Sequence, residues 1–450
     1  MFKSIDPYLQ EVVGEFAQEE DPVARVKTAH AAFSAWANTS ITHRKTLLLA
    51  FADTLEKHKE TYARTITREM GKLFREAVAE VEKCVVTTRF YVEEAENYIA
   101  PVEVNSSNRR AWYTYEPLGA VLAVMPWNFP FWQALRFAVP NLLLGNTVLL
   151  KHASNVLGSA AHMDQAFRES GFPTGVFQAL NLHSSKVGSV IADPRVKGVT
   201  LTGSGPAGAS VAALAGKYLK KSVLELGGSD AFVVLHDADL ETAAVTAVKS
   251  RFQNAGQTCI AAKRWIVEDS IYDAFRERVI QLVKQLQPGD PLKPETTLAP
   301  IARLDLAETL DAQVSDLVKR GAVPLTAQER DRCLLAPQVL EVPRSLAAAY
   351  REEVFGPVGF LVRAGHAEEA IAIANETPFG LGASLWTRDP EKAADWMKKI
   401  HAGSVFLNGM VRSEGPIPFG GTGESGYGRE LGAYGIQEFA NVKSYVIKTY

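Results

Sequence analysis

Beyond residue 118 the chain repeats one pattern, a short apolar run followed by a stretch whose apolar residues recur three and four apart. The runs fall at residues 121–125, 147–150, 198–201 and 222–226. After Arg264 the pattern resumes with 265–267, a helical stretch over 271–287, and runs at 358–361 and 383–386. Runs this short and apolar read as strands covered on both faces, and the helical stretches between them are the crossovers that parallel pairing requires. The pattern therefore predicts α/β architecture with doubly wound parallel sheets. Ahead of it, residues 23–36, 44–59 and 76–98 have helical spacing and should coat a sheet. Residues 102–116 and 441–449 alternate apolar and polar side chains, as strands with one solvated face do.

A chain of 450 residues exceeds what one hydrophobic core supports, so two large domains are expected. The formal net charge of -3 leaves no electrostatic footprint for nucleic acid or an anionic membrane. Cys84, Cys259 and Cys333 are too few and too scattered for a disulfide framework or a paired-cysteine metal site, which implies reduced thiols and no metal. The amino terminus has neither the apolar core of a signal peptide nor an arginine-rich transit pattern, so a cytoplasmic protein is expected. The most apolar stretch, residues 137–150, is broken by Pro140, Asn141 and Asn146 and is too short to cross a bilayer; it reads as buried core.

Three side chains carry a chemical reading. Cys259 follows Gly256-Gln257-Thr258 in what reads as an open loop, where a thiolate could attack a carbonyl and later release an acyl group; the alternative is a small buried thiol. Asn128 lies in a Trp-Asn-Phe-Pro turn directly after a strand, where its amide and the Cys259 backbone N–H could stabilise the resulting alkoxide; the alternative is a plain turn former. Glu225 ends an apolar strand before Gly227-Gly228, where desolvation would raise its pKa to a value useful in a general base; the alternative is a solvated strand end. Gly203-Ser204-Gly-Pro-Ala-Gly208, between a strand and a helix, is a literal dinucleotide fingerprint in which Glu225 could instead take a ribose.

Four segments in order, Pro126-Trp127-Asn128-Phe129-Pro130, Leu224-Glu225-Leu226-Gly227-Gly228, Gly256-Gln-Thr-Cys259 and Glu352-Glu353-Val-Phe355-Gly-Pro357, together resemble the aldehyde dehydrogenase superfamily, from about Ser4 to the chain end. The resemblance implies a Rossmann-like cofactor domain (1–101 and 118–227), a catalytic α/β domain (228–427) and a small β oligomerisation arm (102–117 and 428–450) in a homodimer or homotetramer. It implies oxidation of an aldehyde to an acid with NAD or NADP, Cys259 as nucleophile, Asn128 as oxyanion donor and Glu225 as the base that hydrolyses the thioester. It takes Gly203 and Ser204 as the phosphate-side turn and Lys151 as an adenosine-ribose ligand. Trp127, Leu226, Glu353 and Phe355 join the cofactor site, and Glu430 assists proton removal. Ser154 stands where NAD-preferring members carry a glutamate, which leaves room for a 2′-phosphate.

The Trp132-Gln-Ala-Leu-Arg136 and Lys151-His-Ala-Ser154-Asn wording is similar to the shorter bacterial succinate semialdehyde dehydrogenases. That similarity implies a substrate carboxylate held by Arg136 and Ser413, with Arg412 adding charge; Arg136 could otherwise bridge helices or subunits. The second arginine of many such enzymes is Gln253 here. Dehydrogenases for other small aldehydes or for glyceraldehyde 3-phosphate, and a non-catalytic nucleotide-binding homologue, remain the alternatives.

Overall fold

The strands fall where the apolar runs predict them. The computed structural model describes residues 1–106 and 109–448. One sheet has the order Gly426–Tyr427, Lys221–Glu225, Val196–Thr202, Ala120–Val124, Thr147–Lys151, Phe177–Ala179, and all its pairs are parallel except the Gly426–Tyr427 edge. Strand order reverses beside Ala120–Val124, so later strands add on both sides of it. At such a switch point the carboxyl ends open a crevice that takes ligands. Trp127-Asn128, Lys151, Gly203 and Glu225 all lie at or just past these ends.

A second sheet has the order Val323–Pro324, Gln338–Glu341, Val358–Ala364, Arg264–Glu268, Ala231–Val234, Gly382–Trp386, Ser404–Leu407, parallel but for its first pair. Here the chemistry sits at the amino ends, since Cys259 precedes Arg264–Glu268 and Glu353 precedes Val358–Ala364. One core encloses this sheet, and two others cover the faces of the first. The helix Pro130–Leu144 is buried along its whole length, as the run 137–150 predicts, and stops at Gly145, whose φ of 110° suits a residue without a Cβ. Among the described residues no helix is long and apolar enough to cross a membrane.

Strands Val102–Ser106, Arg109–Pro117 and Ala440–Lys448 form a separate antiparallel sheet with the last along one edge. Of the strands expected there, residues 107–108 and 449 lie outside the described residues, as does 450 of the expected arm. The amino-terminal hairpin of Phe2–Ile5 with Val12–Phe16 has no counterpart in the apolar pattern. Its strands are short, and they carry a Lys3–Glu15 cross-strand pair and a hydrogen bond from Ser4 to the buried Glu69.

Candidate active site

Cys259 lies in a loop that its predecessors force into shape. Asn254, Ala255 and Gly256 take φ values of 53°, 52° and 71°, strained for the first two. Gly256 is required twice, because a Cβ there would also stand 2.2 Å from the Gly356 carbonyl. The buried Arg251 guanidinium joins the two segments, donating to the carbonyls of Gly256 (3.2 Å), Val354 (2.9 Å), Val358 (2.6 Å) and Gly356. The cysteine and the Glu-Glu-Val-Phe-Gly-Pro segment, far apart in sequence, are thus one rigid unit. Burial pushes the Cys259 thiol up to about 12, against the pull of Lys263 and Arg136, with Glu353 and Asp230 opposing that pull.

Asn128 is anchored to this unit. Its Nδ2 donates to the Gln257 carbonyl at 3.0 Å, and its own carbonyl accepts from Asn254 Nδ2 and Lys72 Nζ, both at 2.9 Å. An amide nitrogen carries two hydrogens, so one remains for a further acceptor. The turn is also held from the helix Phe74–Ile99, where Glu80 accepts the N–H groups of Phe131 and Trp132 at 2.8 and 3.0 Å and forms a fully buried ion pair with Lys72. Sequence reasoning missed Lys72, Glu80 and Arg251. Glu80 carried a readable signal, since it falls on the buried stripe with Cys84, Thr87 and Tyr91.

Glu225 ends its strand as expected, 2 % exposed, with both carboxyl oxygens lacking a hydrogen-bond partner among the described residues. Burial holds it well above the usual carboxylate range, the Glu430 charge adds to that, and Arg136 and Arg429 oppose it. It abuts Gly420, where a Cβ would come within 2.7 Å of Oε1. No hydrogen bond joins it to Cys259 among the described residues.

Arg136 has a different partner from the one expected. It is 2 % exposed, forms an ion pair with Glu430, and rests over the Phe419 ring at 5.0 Å. Its charge is therefore already balanced inside the fold, and Glu430 is tied to it and to the Thr200 hydroxyl (3.4 Å). Arg412, expected to add charge, has a side chain 61 % exposed and paired with Glu414 at 3.5 Å. Gln253 is exposed at a helix end. Ser413 is buried, and its Oγ accepts from Lys83 Nζ (2.9 Å) and Trp132 Nε1 (3.1 Å). Lys83 had gone unnoticed in the sequence, hidden among the charged positions of a long helix.

The residues expected around a dinucleotide line the same crevice. Ser204 is exposed at the start of the helix Gly205–Lys217 and makes no side-chain cap, so the first N–H groups of that helix are left for a phosphate. Gly208 lets the helix approach Leu226, whose Cδ2 would lie 2.6 Å from a Cβ there. Glu353 is fixed by Lys263 at 3.1 Å and by the Gly228 N–H at 3.1 Å, and it fills the space a side chain at Gly227 would need. Trp127 and Phe355 meet edge to face at 5.8 Å. Lys151 is half-buried with no carboxylate in ion-pair range among the described residues, and Ser154 is exposed. His152 between them turns inward, donating to the Pro130 carbonyl at 2.9 Å, and burial drops its pKa to about 4, so it brings no positive charge. This donor set fits a dinucleotide, with nothing acidic at Ser154 to repel a 2′-phosphate. Among the described residues no cluster of side chains could hold a metal ion.

A model of the aldehyde dehydrogenase family matches residues 1–445. The chain is 45% identical to a Mycobacterium tuberculosis protein named succinate-semialdehyde dehydrogenase (NADP+) 1, over 98% of each chain. It is 44% identical to a Synechocystis protein named probable succinate-semialdehyde dehydrogenase (NADP+), covering 94% of this chain and 93% of the other. Among solved structures, succinic semialdehyde dehydrogenase from Streptococcus pyogenes in complex with NADP+ superposes with a TM-score of 0.97 at 36% identity, over 100% of both chains.

Proposed function

The chain belongs to the aldehyde dehydrogenase family, and on that premise we propose that it oxidises succinate semialdehyde to succinate with NADP or NAD. The Cys259 thiolate attacks the aldehyde carbon, and the unused hydrogen of Asn128 Nδ2 and the Cys259 backbone N–H receive the alkoxide. Trp127, Lys151, Ser154, Gly203, Ser204, Leu226, Glu353 and Phe355 would hold the dinucleotide, which would supply the hydride acceptor. Glu225 then takes a proton from the water that hydrolyses the Cys259 thioester. To do so it must ionise, and Arg136 and Arg429 are the charges that favour this. Glu430 pairs with Arg136 and its charge raises Glu225, which makes that carboxylate a stronger base once it has ionised; by that route Glu430 assists proton removal.

The observation that carries the reading is the hydrogen-bond frame joining Asn128 to Gln257, two residues from Cys259. The test is kcat/KM for succinate semialdehyde, glyceraldehyde 3-phosphate and butanal, each with NADP and NAD. Succinate semialdehyde should give the highest value, and NADP should serve at least as well as NAD. A higher value for either other aldehyde would overturn the substrate assignment, and no reduced cofactor with any of them would make the chain a non-catalytic homologue.

The same reading takes residues 1–101 and 118–227 as the cofactor domain, 228–427 as the catalytic domain, and 102–117 with 428–450 as an arm that pairs with a second copy in a cytoplasmic homodimer or homotetramer. Exposed Val442, Val446 and Ile447 on a strand with one unpaired edge support the arm's role.

A further inference from the structure

One ammonium beside the site has no counter-charge. Lys83 projects from the helix Phe74–Ile99, lies 3.8 Å above the Trp132 ring and donates to Ser413 Oγ at 2.9 Å. Among the described residues no carboxylate reaches it within ion-pair distance. Glu414, the nearest along the chain to Ser413, is paired with Arg412, and Glu80 on Lys83's own helix is paired with Lys72. Arg136 adds a like charge from the facing helix, and burial together with that charge pushes Lys83 down to about 8, with Cys84, Glu80 and Glu414 opposing. A half-buried cation in such surroundings is stabilised by an incoming anion.

The hydrogen-bond inventory points the same way. An ammonium has three donors, and Ser413 uses one. Ser413 Oγ already accepts from both Lys83 and Trp132, so its own O–H is left to donate. Two adjacent donors, one of them charged, thus remain beside an indole ring, which suits a carboxylate. Trp132 lies four residues past Asn128 and four before Arg136 on the helix Pro130–Leu144, and the Arg136 charge acts on both Lys83 and Cys259. The indole that holds Ser413 and the turn that carries Asn128 thus sit about one helical turn apart, within electrostatic reach of the same guanidinium.

We infer that Lys83, with the Ser413 hydroxyl, binds the carboxylate at the far end of the aldehyde substrate. Lys83 adds a cation to this end of the site beside Arg136, whose Nε is paired with Glu430. The inference rests on the succinate semialdehyde reading above, and its test separates the two. In Lys83→Met the ratio of kcat/KM for succinate semialdehyde to that for butanal should fall roughly ten- to a hundredfold, mainly through KM, because one charged hydrogen bond is lost. Lys83→Gln carries the same expectation if the methionine variant does not fold, and Lys83→Arg should keep most of the ratio. An unchanged ratio, or equal losses on both aldehydes, overturns the assignment. If the wild type itself prefers butanal, the substrate reading fails and Lys83 is judged by succinate inhibition of butanal oxidation. Inhibition weakened about tenfold or more in Lys83→Met supports carboxylate binding, and equal inhibition overturns it.

Discussion

Arg136 acts on two carboxyls, Glu430, to which it is paired, and Glu225, whose oxygens have no hydrogen-bond partner among the described residues. Removing it leaves both acids buried without their cation, a loss of about 3–5 kcal/mol for a broken buried pair. Arg136→Ala should therefore lower the thermal midpoint and reduce kcat/KM for succinate semialdehyde and butanal alike. A loss confined to succinate semialdehyde would restore it as the carboxylate ligand. Glu225 makes a different prediction. Glu225→Gln should give a burst of reduced cofactor near one equivalent per active site and then stall, because hydride transfer precedes the step it serves. In the wild type, deacylation should speed up as pH rises, since burial and Glu430 raise Glu225 well above the usual carboxylate range and ionisation creates the base. Stopped-flow absorbance measures both, and a burst-free variant that still binds cofactor would remove Glu225 from that role. The strand-end position of Glu225 was legible from the sequence; the partner of Arg136 was not, because Glu430 lies 294 residues away and only packing brings them together.

At the scale of elements, the Asn128 turn depends on a helix that contributes nothing to the chemistry directly. Glu80 from Phe74–Ile99 accepts the first N–H groups of the helix Pro130–Leu144, and Lys72 neutralises Glu80 while holding the Asn128 carbonyl. A carboxylate at a helix N-terminus satisfies donors that would otherwise be buried without partners. Glu80→Gln leaves the Lys72 ammonium buried without a counter-charge, at a cost of about 3–5 kcal/mol. It should lower the thermal midpoint and reduce kcat with every aldehyde, since the oxyanion donor loses its support; calorimetry with steady-state kinetics checks both. The long apolar strands and helices could be read from periodicity. The amino-terminal hairpin and the short strand Gly426–Tyr427 could not, because their pairing is set by partners distant in sequence and their apolar pattern is weak.

For the whole molecule, the exposed strand Ala440–Lys448 predicts self-association. Val446→Lys with Ile447→Lys places charge on the apolar edge and should shift the protein toward monomer in light scattering after size exclusion, and an unchanged mass would assign the assembly to another surface. The sequence by itself determined the parallel α/β class and the strand ends on which Asn128 and Glu225 stand, because hydrophobic period and strand termini are local properties. It also singled out Cys259 as the proposed nucleophile, from its own segment. Only the tertiary structure decided which cations remain free. It assigned Arg136 to Glu430, Arg412 to Glu414 and Lys72 to Glu80, and left Lys83 beside Ser413 without a counter-ion among the described residues. Charge pairing depends on distances of a few ångströms between residues up to hundreds of positions apart, and no local pattern encodes those distances.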